Sequence, residues 1–401
     1  MITRMNQQQI KIVNGRVIMP MRIINHGTVL VTGDKITEVR EGDIEAPNAV
    51  VLDAGGQYIS PGFIDIHIHG GGGHDFMDGT VEAFLEIAKC HARYGTTAMN
   101  PTTLTSEMDG LMNTLDLYKQ ANANNTEGAR FIGMHLEGPY FAMNQRGAQD
   151  PRYIRNPDPE EYRKILNHSD GIARWSAAPE LEGALEFARY VRSKGVLVAL
   201  AHTDAIYEEV LEGFENGYTL ATHLYSGMSG VSRRNAYRFA GVIESAFLID
   251  EMSVEVIADG KHLPAALLKL IYKIKGPDRI ALITDSIRGA GMPDGETTLG
   301  NIHTGIKAII EDGVAKLPDR SSFAGSVATT DRLVRTMLQV AQTPLIETIK
   351  MMTLTPATIM GVADKIGSLV AGKDADIVIF DENINIQKTM IKGKIVYSKT
   401  L

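Results

Sequence analysis

Apolar runs of strand length recur along the chain, and several end in a residue able to bind a metal or carry a proton. His67 and His69 close FIDIHIHG, Glu137 closes FIGMHLEGP, His202 closes VLVALAHT, His223 closes YTLATHLY and Asp285 closes IALITDS. Helix-length amphipathic segments lie between the runs. The first predicts a stripe of Val81, Phe84, Leu85, Ala88 and Ala92, with Glu82, Glu86 and Lys89 outside it. From Ile59 to about Gly361 this alternation is the pattern of βα units. Eight strand candidates can be counted: ISPGFIDIHIH, TTAMNPTT, RFIGMHLEG, IARWSAAPE, VLVALAHT, YTLATHLY, MSVEVIADG and RIALITDS. They predict an α/β protein with a (β/α)8 barrel over residues 59–361, in which catalytic groups gather at the carboxyl ends of the strands.

The flanks read differently. Up to about Tyr58 short alternating runs with glycine turns (IKIVNGRVI, GTVLVTGDKITEVR, AVVLDAGGQYI) predict antiparallel β structure, and the signature returns after Gly361. Residues 1–58 and 362–401 are expected to pair into one small β-sandwich, because chain ends often lie close together; two unrelated β appendages are the alternative. The stretch GAGMPDGETTLG, Gly289 to Gly300, reads as a loop near the active face.

Composition narrows the partners. With 401 residues the chain has room for a barrel of about 250 residues and a smaller domain. A formal net charge of -8 argues against nucleic acid or an anionic membrane. Cys90 is the only cysteine, so no internal disulfide forms, and its helical context predicts burial. The start MITRMNQQQIKIVNG has no apolar leader core, and no run of eighteen apolar residues occurs. The expectation is a cytoplasmic protein acting on a small soluble substrate.

His67 and His69 are two apart on a strand, so both imidazoles project from one face toward one ion. Gly70 to Gly73 follow them, and side-chain-free backbone there is expected to leave room for substrate. A buried carboxylate at Glu137, before Gly138 and Pro139, needs a counter-charge. His135 shares its face one layer deeper and is expected to support rather than ligate. His202 and His223 occupy equivalent ends of adjacent strands. Asp285, after IALIT, is placed to act as general base. His26, His74, His91, His168 and His303 lack such context and read as surface or structural.

These phrases, with IADGKH, LITD and the closing GSLVAGKDADIVIFD, resemble the N-acetylglucosamine-6-phosphate deacetylase family of the amidohydrolase superfamily. The resemblance runs from about Gly15 to Val396, and HLEGP followed by ATHLY and IADGKH is more specific than the paired histidines. It implies a metal-dependent deacetylase with one or two divalent ions (Zn, Fe or Mn), of which Glu137, His202 and His223 hold the main one. It gives His67 and His69 to a second ion and makes Asp285 both a ligand and the catalytic acid/base. The strand IARWSAAPE has no lysine where many two-metal relatives carry a carboxylated one, so Glu137 takes the bridging role. Substrate contacts are implied at Ala148, Gln149, Ser226, Gly227, at Asp259, Gly260, Lys261 and His262, and at Phe323, Ala324 and Gly325. An arginine from the second subunit of a homodimer is implied to meet the sugar phosphate, at Arg234 or else at Arg233 or Arg238.

The chain departs from the family at two places. Family members usually carry histidine where Gln149 stands, and Asn-Ala where Ser226 and Gly227 stand. Both changes touch the sugar phosphate side, which leaves open N-acetylgalactosamine 6-phosphate as substrate. Another amidohydrolase reaction is a further alternative. A catalytically silent sugar-phosphate sensor is disfavoured because all six metal-site residues are present.

Overall fold

The computed structural model describes residues 8–399; residues 1–7, part of the start expected to lack a leader, residues 400–401 and the side chain of Arg234 lie outside the described residues. Eight parallel strands follow one another around a barrel: Phe63–Ile68, Thr96–Thr103, Met134–Glu137, Ile172–Ala177, Leu197–Leu200, Tyr218–Ala221, Ser253–Ile257 and Ile280–Ile283. All eight lie within the expected runs. The ring closes between first and eighth, where Asp285 N–H donates to His67 O (3.0 Å) and His69 N–H to Ser286 O (2.8 Å). The third run is interrupted after Arg130–Phe131, because Gly133 adopts φ +107° and a Cβ there would stand 2.3 Å from Ala173 Cβ.

Strands buried on both faces explain the nearly continuous apolar text. Ile64, Ile66, Leu197, Ala199, Ala281 and Ile283 meet in a cluster of their own. Their neighbours Val198, Leu200, Val254 and Leu282 pack instead into the larger cluster shared with the helices. The helix Val81–Ala92 starts at Thr80, whose hydroxyl accepts the Ala83 N–H (3.1 Å). It buries Ala83, Phe84, Ile87 and Ala88, while Val81 and Leu85 of the expected stripe are half-buried, so the inward face is rotated from the one read in the sequence. Cys90 is buried there, and loss of hydration pushes its thiol up to about 11.

Both chain ends enter a single eight-stranded sheet, and Ile12, Val29, Ile59, Leu369, Ile377 and Met390 share its apolar core. Tyr58–Pro61 is a strand of that sheet, pairing with Ile377–Phe380, so the terminal sheet continues a few residues past Tyr58. Three β features were not expected, the first being a short antiparallel pairing of Gly70–Gly71 with His74–Asp75. Gly295–Leu299, Ile306–Glu311 and Val314–Lys316 form a three-stranded antiparallel sheet, so the end of the stretch read as a loop is a strand. Ser232–Arg234 and Tyr237–Phe239 form a hairpin that leaves Arg233, Tyr237 and Arg238 exposed. Among the described residues no helix is long and apolar enough to cross a membrane.

Candidate metal centre

Strand register places the ligands. Leu200 pairs with Ala221, so His202 and His223 each stand two residues beyond matched positions. The chain leaves both strands, and the eighth, through left-handed backbone at the ligand itself: φ is +46° at His202, +33° at His223 and +50° at Asp285. Gly227 is required beside them. It adopts φ +57°, and a Cβ would lie 2.7 Å from His202 Nδ1.

Six buried side chains converge as two groups, His67, His69 and Asp285, and Glu137, His202 and His223. Glu137 lies between the groups. Its Oε1 is 3.0 Å from His223 Nε2, 3.5 Å from His202 Nε2 and 3.4 Å from His67 Nε2, while Oε2 is 3.4 Å from His69 Nε2. Asp285 Oδ1 is 3.5 Å from His67 Nε2 and 3.2 Å from His69 Nε2. Glu137 thus stands within reach of both groups.

The donor set fits divalent cations on two grounds. First, His202 Nδ1 donates to Gln145 O (2.7 Å), His223 Nδ1 to Ser226 O (3.1 Å), and His67 Nδ1 faces Glu255 Oε2 (3.3 Å). These outer partners fix each tautomer and leave an Nε2 lone pair aimed at the centre. Second, the two carboxylates demand positive charge. Burial pushes Glu137 and Asp285 up, but the surrounding imidazoles outweigh it and hold both below their usual range. Burial works against charged His69 in turn, yet Asp285 and Glu137 raise it to about 10. A cation satisfies these carboxylates without that proton.

Beneath the ligands Arg174 and Glu255 form a fully buried ion pair. Arg174 also donates to Ile66 O (3.1 Å) and Thr222 Oγ1 (2.8 Å), and Glu255 accepts the His223 N–H (3.3 Å). The pair therefore supports His67 by side chain and His223 by backbone. His135 bridges Thr102 Oγ1 (3.2 Å) and Ser176 Oγ (2.7 Å), a supporting position below Glu137.

The centre opens into a cavity of about 570 Å³ lined by Ala148, Gln149, Ser226, Gly227, His262, Phe323 and Gly325 of the expected contacts. Others fall elsewhere. Asp259 is buried under His262 and accepts its Nδ1–H (2.8 Å), so it aims that ring rather than facing the cavity. Gly260 and Lys261 turn outward, and Ala324 is buried behind the wall. Arg233 and Arg238 lie on the hairpin and do not line the cavity of their own chain. Gln149 is engaged on both ends: Nε2 donates to Glu137 Oε2 (2.7 Å) and Oε1 accepts the Thr105 N–H (2.9 Å). Gly70 and Gly71 make no room for substrate. A Cβ at Gly70 would meet His74 O at 2.3 Å and one at Gly71 would meet His91 Nε2 at 2.4 Å, so close packing of these segments requires them. Lys316 and Arg320 also line the cavity, both paired with Glu311 (3.2 Å), and sequence reasoning missed them.

The amidohydrolase family model matches residues 58–396. The chain belongs to the amidohydrolase family. It is 34% identical over 340 residues to an N-acetylglucosamine-6-phosphate deacetylase of Vibrio furnissii, covering 84% of this chain and 83% of that one. An N-acetylgalactosamine-6-phosphate deacetylase of Escherichia coli O157:H7 is 32% identical, with 88% and 91% covered. The solved N-acetylglucosamine-6-phosphate deacetylase of Pasteurella multocida superposes with a TM-score of 0.91 at 26% identity, covering 98% of this chain and all of that one. Metal dependence follows from the family and from the two ligand groups.

Proposed function

We propose that this amidohydrolase removes the acetyl group of N-acetylglucosamine 6-phosphate, giving acetate and glucosamine 6-phosphate. The observation that carries the reading is Glu137 set between two ligand groups at the floor of a cavity large enough for a sugar phosphate. Glu137, His202 and His223 would hold one divalent ion, and His67, His69 and Asp285 beside the same Glu137 a second, with Zn, Fe and Mn all compatible with these donors. When bound, such an ion supplies Lewis acidity toward water and the amide carbonyl. Asp285 takes the proton of the attacking water at its carboxylate. It then gives that proton to the amine nitrogen, which could not leave as an anion. His262, aimed by Asp259, and the Ser226–Gly227 backbone bind and orient the sugar, and the phosphate adds binding energy remote from the reacting carbon. The barrel of residues 59–361 is the catalytic unit, with residues 1–58 and 362–401 as its β domain.

The active form is a homodimer in which the 232–239 hairpin carries an arginine, Arg234 or its neighbours Arg233 and Arg238, to the second subunit's phosphate. A second reading is the 4-epimer, N-acetylgalactosamine 6-phosphate, because Gln149 occupies the usual histidine position and spends both its polar ends on Glu137 and Thr105. Acetate release as kcat/KM on both epimers, for wild type and Gln149→His, tests the assignment. Preference for the glucosamine substrate in the wild type upholds the first reading; preference for the galactosamine substrate selects the second, and no acetate from either removes both.

A further inference from the structure

A second cavity, of about 410 Å³, adjoins the metal-centre cavity and shares Leu104, Ala148, Gln149 and Leu299 with it. That volume lies in the range of small-ligand sites in its own right, and it is far more than the methyl end of an acetyl group needs. Its chemistry is set at Thr105. The residue is 6% exposed, yet its hydroxyl has no hydrogen-bond partner among the described residues. A buried hydroxyl left unpaired is destabilising, so it points to a ligand that supplies the partner. The same residue's N–H donates to Gln149 Oε1 (2.9 Å), and Gln149 donates to Glu137 (2.7 Å). Two hydrogen bonds therefore separate this wall from the carboxylate at the reacting centre, and an amide bound there sits beside it.

Ser106, Asn113, Thr304 and Tyr153 supply neutral polar groups to the lining beside the apolar Met77, Leu104, Leu299 and Ile306, and the Asn113 amide makes no hydrogen bond among the described residues. The one cation lining it, Arg152, is held by both oxygens of Asp150 (3.0 Å each), while Glu107 adds negative charge. An anionic group is disfavoured there. A hydroxyl-rich uncharged one is matched.

We propose that this cavity is a subsite for a neutral glycosyl unit attached to the amino-sugar phosphate, so that the enzyme deacetylates a phosphorylated disaccharide. The inference rests on the deacetylase reading and extends its substrate class. The chemistry is unchanged: water cleaves the amide, acetate and the amine form, and the glycosidic bond stays intact.

The test compares acetate release from N-acetylglucosamine 6-phosphate and from diacetylchitobiose phosphorylated on the unit to be deacetylated. The wild type should favour the disaccharide by about tenfold in kcat/KM, and Thr105→Val should cut that ratio roughly fivefold, as expected for one hydrogen bond. Thr105→Val should also keep or raise Tm, because it removes an unpaired buried hydroxyl; a lowered Tm would show a structural partner and overturn the proposal. Asn113→Trp, which fills the cavity from the helix Met108–Asn124, should abolish the preference. A wild type active on the monosaccharide alone, or a preference untouched by both variants, overturns the subsite and leaves the deacetylase reading standing. If neither compound releases acetate, the deacetylase reading falls. A crystal soaked with diacetylchitobiose then decides the subsite: a sugar ring against Thr105 supports it, and an empty cavity overturns it.

Discussion

Replacing Arg174 by methionine strips the barrel floor of its counter-charge while roughly keeping volume. Arg174 and Glu255 are both fully buried, and the guanidinium engages both carboxylate oxygens, with Nη2 2.9 Å from Oε2. Arg174→Met leaves a buried carboxylate uncompensated and takes a donor from Ile66 O and Thr222 Oγ1. Breaking such a pair from one side costs about 3–5 kcal/mol, against a total stability of about 5–15 kcal/mol for a typical domain. The double variant Arg174→Met/Glu255→Gln leaves no charge at this pair and should recover at least about 2 kcal/mol of the summed single losses. Arg174→Lys keeps the charge but not the two-pronged geometry and should fall between. Urea midpoints of the chelated proteins read all four. A loss under about 1 kcal/mol for Arg174→Met, or a double variant as unstable as the sum of the singles, would falsify the claim that this pair holds the floor of the site.

Asp285→Asn keeps the shape of the proton carrier without its function and should lower kcat by about 10²-fold to 10⁴-fold with little change in KM; near-normal turnover would move the base elsewhere. Mixing Arg234→Ala protein with Asp285→Asn protein should restore activity through heterodimers with one intact site, and no recovery after verified subunit exchange would argue for a self-contained site. His91 is buried with Nε2 on Gly70 O (3.0 Å), and burial pushes it down to about 4. A depressed folded value means its contribution is present above the unfolded value of about 6.5 and is lost as pH falls toward 4, so between pH 7 and 4 the wild type should lose up to about 3 kcal/mol more than His91→Gln. Parallel stability curves for the two would contradict that assignment.

The barrel was legible because buried parallel strands leave long apolar runs, and because five of the eight runs end in a metal-site residue. Glu137, His202, His223 and Asp285 were readable for that reason, and the left-handed turns at three of them only sharpen the placement. What supports them was harder to see. Arg174 and Glu255 stand inside apolar strands, IARWSA and SVEVI, where a charge has to be paired; that signal was available and unused. The three-stranded insertion had one cue, Asp312-Gly313 between IKAII and VAK, a hairpin turn whose strands of three to six residues carry no long period. Lys316 and Arg320 reach the cavity through it. Gln149 bonds Glu137 because the loop after the third strand folds back onto that strand's own end, which no local pattern shows, whereas Asp259 aims His262 within a three-residue turn, a local contact that was readable and unused.

In the proposed reaction, amide hydrolysis depends on ions held by Glu137 and the four histidines. The most direct measurement is acetate release from N-acetylglucosamine 6-phosphate by chelator-stripped protein as Zn, Fe or Mn is added back, with bound metal counted at each point. Release should be negligible without metal and rise with the first equivalent, and more than one equivalent should be bound at saturation, falling in His67→Gln protein. Full turnover by protein shown to be metal-free would contradict it.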